Sequence, residues 1–128
     1  MKKKFALSLV ALASTALLAA CGEVKSGASN TTGNPIDEKV VKIGFNFEET
    51  GAVASYGTSE QKGAQLAVDE INAAGGIDGK QIEVVDKDNK SETAEAASVS
   101  TNLVTQSKVA AIVGPATSGA TAAAVANA

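Results

Sequence analysis

From Val40 onward the apolar residues switch period again and again, from two to about 3.6 and back, and that alternation narrows the fold more than any other feature of the chain. Val40–Phe47, VVKIGFNF, sets Val41, Ile43, Phe45 and Phe47 on one face and Lys42, Gly44 and Asn46 on the other, which predicts a strand. Glu48–Gly57 follows as a loop, with Thr50-Gly51 and Tyr56-Gly57 as turn punctuation. Thr58 or Ser59 is then expected to cap a helix running to about Ala74, with Ala64, Ala67, Val68 and Ile71 on one stripe. Gly75-Gly76 stops that helix, because glycine readily takes the left-handed conformation that closes one. Gln81–Asp86, QIEVVD, reads as a second strand. Ser91 is expected to cap a second helix from Glu92 to about Ser107, with Ala96, Val99 and Leu103 in line. Val109–Val113 reads as a third strand, and a third helix starts at Gly119.

The order strand-helix repeated three times, with short connections, predicts an α/β fold: a parallel βαβ sheet of the doubly wound kind with helices on its faces. In such sheets ligands sit beyond the carboxyl ends of the strands, where the connectivity reverses direction. The loops 48–57 and 114–118 lie at that edge. Residues 39–128 suffice for three βα units but not for a closed doubly wound domain, so the second or third strand is expected to leave an open sheet edge. The last residues, AAAVANA, carry neither a glycine stop nor a proline, which suggests a fragment of a longer chain.

The first 38 residues read as delivery equipment. Lys2, Lys3 and Lys4 form a positive start, and Phe5–Leu18 is an apolar run shorter than the roughly 20 residues a bilayer core requires. Residues 1–20 are therefore expected to be a signal peptide. They end in Leu18-Ala19-Ala20-Cys21, which resembles the lipobox of bacterial lipoproteins. Cys21 is then the lipidation site, and more than one acyl chain makes such an anchor durable. An ordinary secretory signal with an incidental cysteine is the alternative. Residues 21–38, rich in Gly, Ser, Asn and Thr, cannot bury enough apolar surface to offset their ordering entropy and read as a lipid-anchored flexible tether.

Composition removes several function classes. The chain has no His and one Cys, which excludes Cys/His zinc sites and Cys/His catalytic pairs within it, and no metal site is expected. The net charge of −3 offers no basic footprint for nucleic acid. Neither the G-x-G-x-x-G nor the G-x-x-x-x-G-K-[ST] phosphate loop occurs, so no nucleotide cofactor is expected. Ser118 sits on a strand-to-helix turn, loosely like a nucleophile elbow, but the G-x-S-x-G pattern and a histidine base are missing, so no catalytic residue is assigned. Asp86, Asp88 and Asn89 carry oxygens suited to a hard cation but lack the glycine and closing glutamate of a calcium loop, and are read as turn residues.

The turn in Val109–Thr121, VAAIVGPATSGAT, is the remaining candidate. A strand that enters a helix through small residues leaves backbone N–H groups unpaired, and the helix dipole favours an anion there. Ala116, Thr117 and Ser118 could hold a carboxylate, but taken alone the loop fits better with Thr117 or Ser118 simply capping its own helix. Tyr56, the sole tyrosine, either borders a pocket at the same edge or packs on its own helix. Glu48 and Glu49, as bare charges at the end of the first strand, are expected to be a solvated rim.

The run from KIGFNFEETGAVASYG through G-A-x-x-A-V-D-E-I-N-A-x-G-G-I-x-G to VGPATSGAT resembles the branched-chain amino-acid-binding proteins of ABC importers. With the lipobox and tether, it is most similar to the lipoprotein form of Gram-positive bacteria. The resemblance implies a periplasmic-binding-protein type I fold, of which residues 39–128 would be part of the first, N-terminal lobe. It implies that this lobe and a second one close on a small-molecule amino acid, and that the closed form docks on a membrane permease. Thr117-Ser118 matches the step that holds the ligand α-carboxylate, Ala116 a contact beside it, and Tyr56 the aromatic that borders the cleft. Residues that pair with the ligand ammonium would lie beyond Ala128. A cell-surface, lipid-anchored, monomeric binding protein without enzymatic activity or cofactor is implied, with a periplasmic location as the alternative. A ligand-binding domain of a sensing receptor, or a surface hydrolase fragment, are the rival functions. The chain departs from the family pattern at Glu48-Glu49, where many relatives carry an apolar or small pair.

Overall fold

A computed structural model describes residues 39–127, and the expected signal peptide, Cys21 and the expected tether lie outside the described residues. Three strands and three helices alternate: β1 (Val40–Phe47), α1 (Ala54–Ala73), β2 (Gln81–Asp88), α2 (Thr93–Thr105), β3 (Ala111–Val113) and α3 (Ser118–Val125). The strands form one parallel sheet, as the alternation predicts, and its strand order is β2-β1-β3. Because β1 lies in the middle, the chain first winds to one side of it and then to the other. The loops leaving β1 and β3 therefore open side by side at the carboxyl edge, which is where such a sheet forms a crevice.

The period-two pattern of β1 decides what each face buries. Phe45 and Phe47 pack with Val68 of α1 and Ile82 of β2, backed by Ile43, Ala64 and Val84. The two phenyl rings meet edge to face at 5.6 Å. On the opposite face Val99 and Leu103 of α2 pack with Val109, Val85 and Ile112. Gly44 keeps this second layer close: a Cβ there would come within 2.8 Å of a Leu103 methyl. Asn46, on the same face and fully buried, donates to the Ala96 carbonyl (3.0 Å) and to Ser100 Oγ (3.2 Å), and its Oδ1 accepts from Asn89 Nδ2 (3.1 Å). A buried polar group is stable only when partnered in this way. The network fastens β1 to α2 and to the turn after β2.

The starts of α1 and α2 differ from expectation. α1 begins at Ala54, a turn before Thr58 and Ser59, whose hydroxyls instead donate back to the Ala54 and Ser55 carbonyls at 2.6 and 2.7 Å. Ser91 does not cap α2, whose N-cap is Glu92 with no side-chain cap bond. Its hydroxyl donates to the Thr50 carbonyl at 2.6 Å and accepts the Val53 N–H at 3.2 Å. A tertiary bond between neighbouring loops thus claims the Ser91 hydroxyl, and carbonyls one turn back in the same helix claim those of Thr58 and Ser59, where local pattern assigns all three to caps. At the end of α1 the expectation holds: Gly75 and Gly76 have positive φ, and the Gly76 N–H closes on the Ile71 carbonyl. β2 is an edge strand among the described residues, and Asn72 covers part of it. It accepts the Ile82 N–H at 2.7 Å and donates to the Ile82 carbonyl at 2.9 Å.

Candidate functional site

The predicted ligand turn follows β3. Gly114 has φ +96°, and a Cβ on it would collide with the Asn46 carbonyl, so this strand end requires glycine. The Gly114-Pro115 peptide is cis. Ala116 and Thr117 then lead into α3, with Thr117 as an extended N-cap that makes no side-chain cap bond. Thr121 locks the turn from inside the helix, its hydroxyl donating to the carbonyls of Pro115 (3.1 Å) and Thr117 (2.8 Å).

What fills the turn is a side chain of the chain itself. Glu48 is fully buried, contrary to the expected solvated rim. Its Oε2 accepts the Ala116 N–H at 2.9 Å, and its Oε1 accepts the Thr117 N–H at 3.2 Å and the Thr117 hydroxyl at 2.8 Å. Burial pushes this carboxyl up, but the bonds from Ala116 and Thr117 outweigh it and hold the group below the ordinary glutamate value. The anion at this turn is therefore Glu48. The signal that finds it is the alternation of β1 extended by one residue: Asn46 faces α2, so Glu48 faces the same side and reaches α3.

Ser118, the first residue of α3, is exposed, and nothing among the described residues hydrogen-bonds its hydroxyl. Thr121 is the first residue of the turn to donate to a carbonyl, that of Thr117, so helix geometry leaves the N–H groups of Ser118, Gly119 and Ala120 without an intrahelical acceptor. Ala116, Thr117 and Ser118 are thus contiguous but chemically divided. The N–H groups of the first two serve Glu48, and Ser118 is presented outward. Tyr56 lies in the first turn of α1 and is 64% exposed. Next to it, Gly57 is buried against the backbone of Glu48, where a Cβ would overlap the Glu48 carbonyl. Glu48 therefore touches both loops of the crevice.

A second acidic group borders the site. Asp88, read from sequence as a turn residue, is the anchor of the loop after β1. Its Oδ1 accepts the N–H groups of Glu49 (3.0 Å), Thr50 (3.2 Å) and Lys90 (2.7 Å), and its Oδ2 accepts the Thr50 hydroxyl at 2.6 Å. Burial raises the Asp88 carboxyl, but these bonds, led by the Thr50 hydroxyl, bring it below its ordinary value. Glu49 goes the other way, pushed up to about 7 by burial and by the carboxylates of Asp86 and Asp88. Gln61 of α1 donates to Asp86 at 2.7 Å. Among the described residues no group of three or more His, Cys, Asp and Glu side chains is placed to hold a metal ion. The arrangement offers hydrogen-bond donors suited to a small carboxylate.

Comparison with known proteins follows this geometry. A solved structure of the branched-chain amino acid transporter substrate-binding protein LivJ from Streptococcus pneumoniae, in complex with isoleucine, is 89% identical and superposes with a TM-score of 0.69, covering 70% of this chain and 26% of its own. An amino acid binding protein of Pseudomonas aeruginosa is 45% identical over 74 residues, 58% of this chain and 20% of its own length. The Leu/Ile/Val-binding protein BraC3 of Rhizobium johnstonii is 39% identical over 85 residues, 66% of this chain and 23% of its own length. The chain thus spans about a quarter or less of the length of each of these relatives. The family model described as periplasmic binding protein matches residues 40–128, and the chain belongs to that family.

Proposed function

We propose that the chain is the beginning of the first lobe of an extracellular solute-binding protein that captures a branched-chain or similar amino acid for an ABC importer. The observation that carries this reading is the 89% identity to a transporter substrate-binding protein holding isoleucine. In this reading the ligand α-carboxylate meets the Ser118 hydroxyl and the N–H groups that open α3, Ala116 and Thr117 border it, and the exposed Tyr56 ring forms one wall. Hydrogen bonds to a charged group contribute roughly 1.5–3 kcal/mol each. A second lobe closes over the ligand by hinge motion and buries its side chain. The protein acts by capture and delivery to a membrane permease, as a monomer, rather than by catalysis. Residues 1–20 direct export, and Cys21 carries the lipid that holds the protein at the outer face of the cytoplasmic membrane.

The reading is tested by a thermal-shift screen of the full-length protein against the twenty amino acids, small amides and short peptides. It predicts stabilisation by isoleucine, leucine or valine, growing with concentration as mass action requires. Stabilisation by none of the amino acids contradicts it. A mature protein that takes up no labelled fatty acid in growing cells contradicts the lipid anchor.

A further inference from the structure

Glu48 stands in the turn where a ligand carboxylate is expected, and two carboxylates cannot share one set of donors. We infer that Glu48 is a positioning residue for ligand capture: a resident carboxylate that occupies the N–H groups of Ala116 and Thr117, fixes the β3–α3 turn, and leaves an incoming carboxylate only the Ser118 end of α3. The inference rests on the ligand reading above and adds a residue to it that the turn sequence itself does not contain.

Three observations carry it. Glu48 is fully buried, and both its oxygens are committed, Oε2 to the Ala116 N–H and Oε1 to the N–H and hydroxyl of Thr117. Three bonds to one carboxylate, strengthened by its charge, hold a loop in one arrangement. The same residue packs its backbone against Gly57, the neighbour of Tyr56, with no room for a Cβ between them. The side chain of Glu48 therefore sets one ligand loop and its main chain the other. Ser118, next to the donors Glu48 holds, is left exposed with its hydroxyl unengaged among the described residues. A turn capped on one side by its own carboxylate and open on the other can receive a ligand in one orientation only.

The test uses the full-length protein, formate as the probe anion and isoleucine as the ligand. Glu48→Gln keeps the volume but removes the charge and turns an NH2 group toward one set of donors; Glu48→Ala empties the place. Amide NMR signals of Ala116 and Thr117 should not respond to formate in the wild type and should titrate with it in Glu48→Ala. Isoleucine affinity should fall at least tenfold in both variants, with formate restoring part of it in Glu48→Ala alone. Wild-type affinity in Glu48→Gln overturns the inference, as does a wild type whose Ala116 and Thr117 signals titrate with formate. If Glu48→Ala does not fold, Glu48→Gln and the wild-type titration still decide. Absence of isoleucine binding by the wild type would count against the amino-acid reading instead, and the formate titrations would decide the role of Glu48.

Discussion

At the scale of single residues, the carboxyl edge of the sheet holds acids with opposed tendencies. Glu48 and Asp88 are held below their ordinary values of 4.5 and 3.8 by the bonds they accept. The stabilisation they bring is present above those values and is lost as pH falls through the lower folded ones. Glu49 is raised from 4.5 to about 7, so the folded state favours its proton and stability declines as pH rises between those values. Urea-unfolding free energy should therefore peak near pH 5 and fall toward pH 8. Glu49→Gln should remove the decline, raising stability at pH 8 by about 1 kcal/mol after solvent screening and leaving pH 4 unchanged. An identical pH profile in the variant would show that Glu49 is ionised in the fold without penalty.

Among the secondary-structure elements, the buried amides of Asn46 and Asn89 hold β1, the turn after β2 and α2 together. Asn46→Ala strands Asn89 Nδ2 and opens a cavity, so it should destabilise the fold by about 3 kcal/mol in urea unfolding. A loss under about 1 kcal/mol would mean that water replaces the amide. All six elements are legible in the sequence, since each rests on periodicity and on local signals such as Gly75-Gly76. The starts of α1 and α2 are not, because Thr58, Ser59 and Ser91 find partners other than the caps that a local pattern assigns. Within the proposed site, Ala116, Thr117, Ser118 and Tyr56 stand out by motif and family resemblance. Glu48 does not, because its partner Ala116 lies 68 residues away and a charge ending a strand looks like a solvated rim. Asn89 and Asp88 look like ordinary turn residues for the same reason. Pairings over such separations are set by topology, which puts the ends of β1 and β3 side by side.

For the molecule as a whole, the order β2-β1-β3 opens the crevice beside β1, and the chain spans 26% of the isoleucine-bound relative. If the ligand is gripped between two lobes, residues 39–128 supply only part of its contacts. The 128-residue chain alone should then bind isoleucine no more tightly than about 1 mM, near −4 kcal/mol, by calorimetry. Micromolar binding by it would refute the two-lobe account. The central claim, that the open side of the β3–α3 turn takes the ligand carboxylate, is tested most directly by calorimetry of isoleucine with the full-length protein and its Ser118→Ala variant. The account predicts that the variant binds more weakly by about 1.5–3 kcal/mol at unchanged thermal stability. Equal affinity of the two proteins would contradict it.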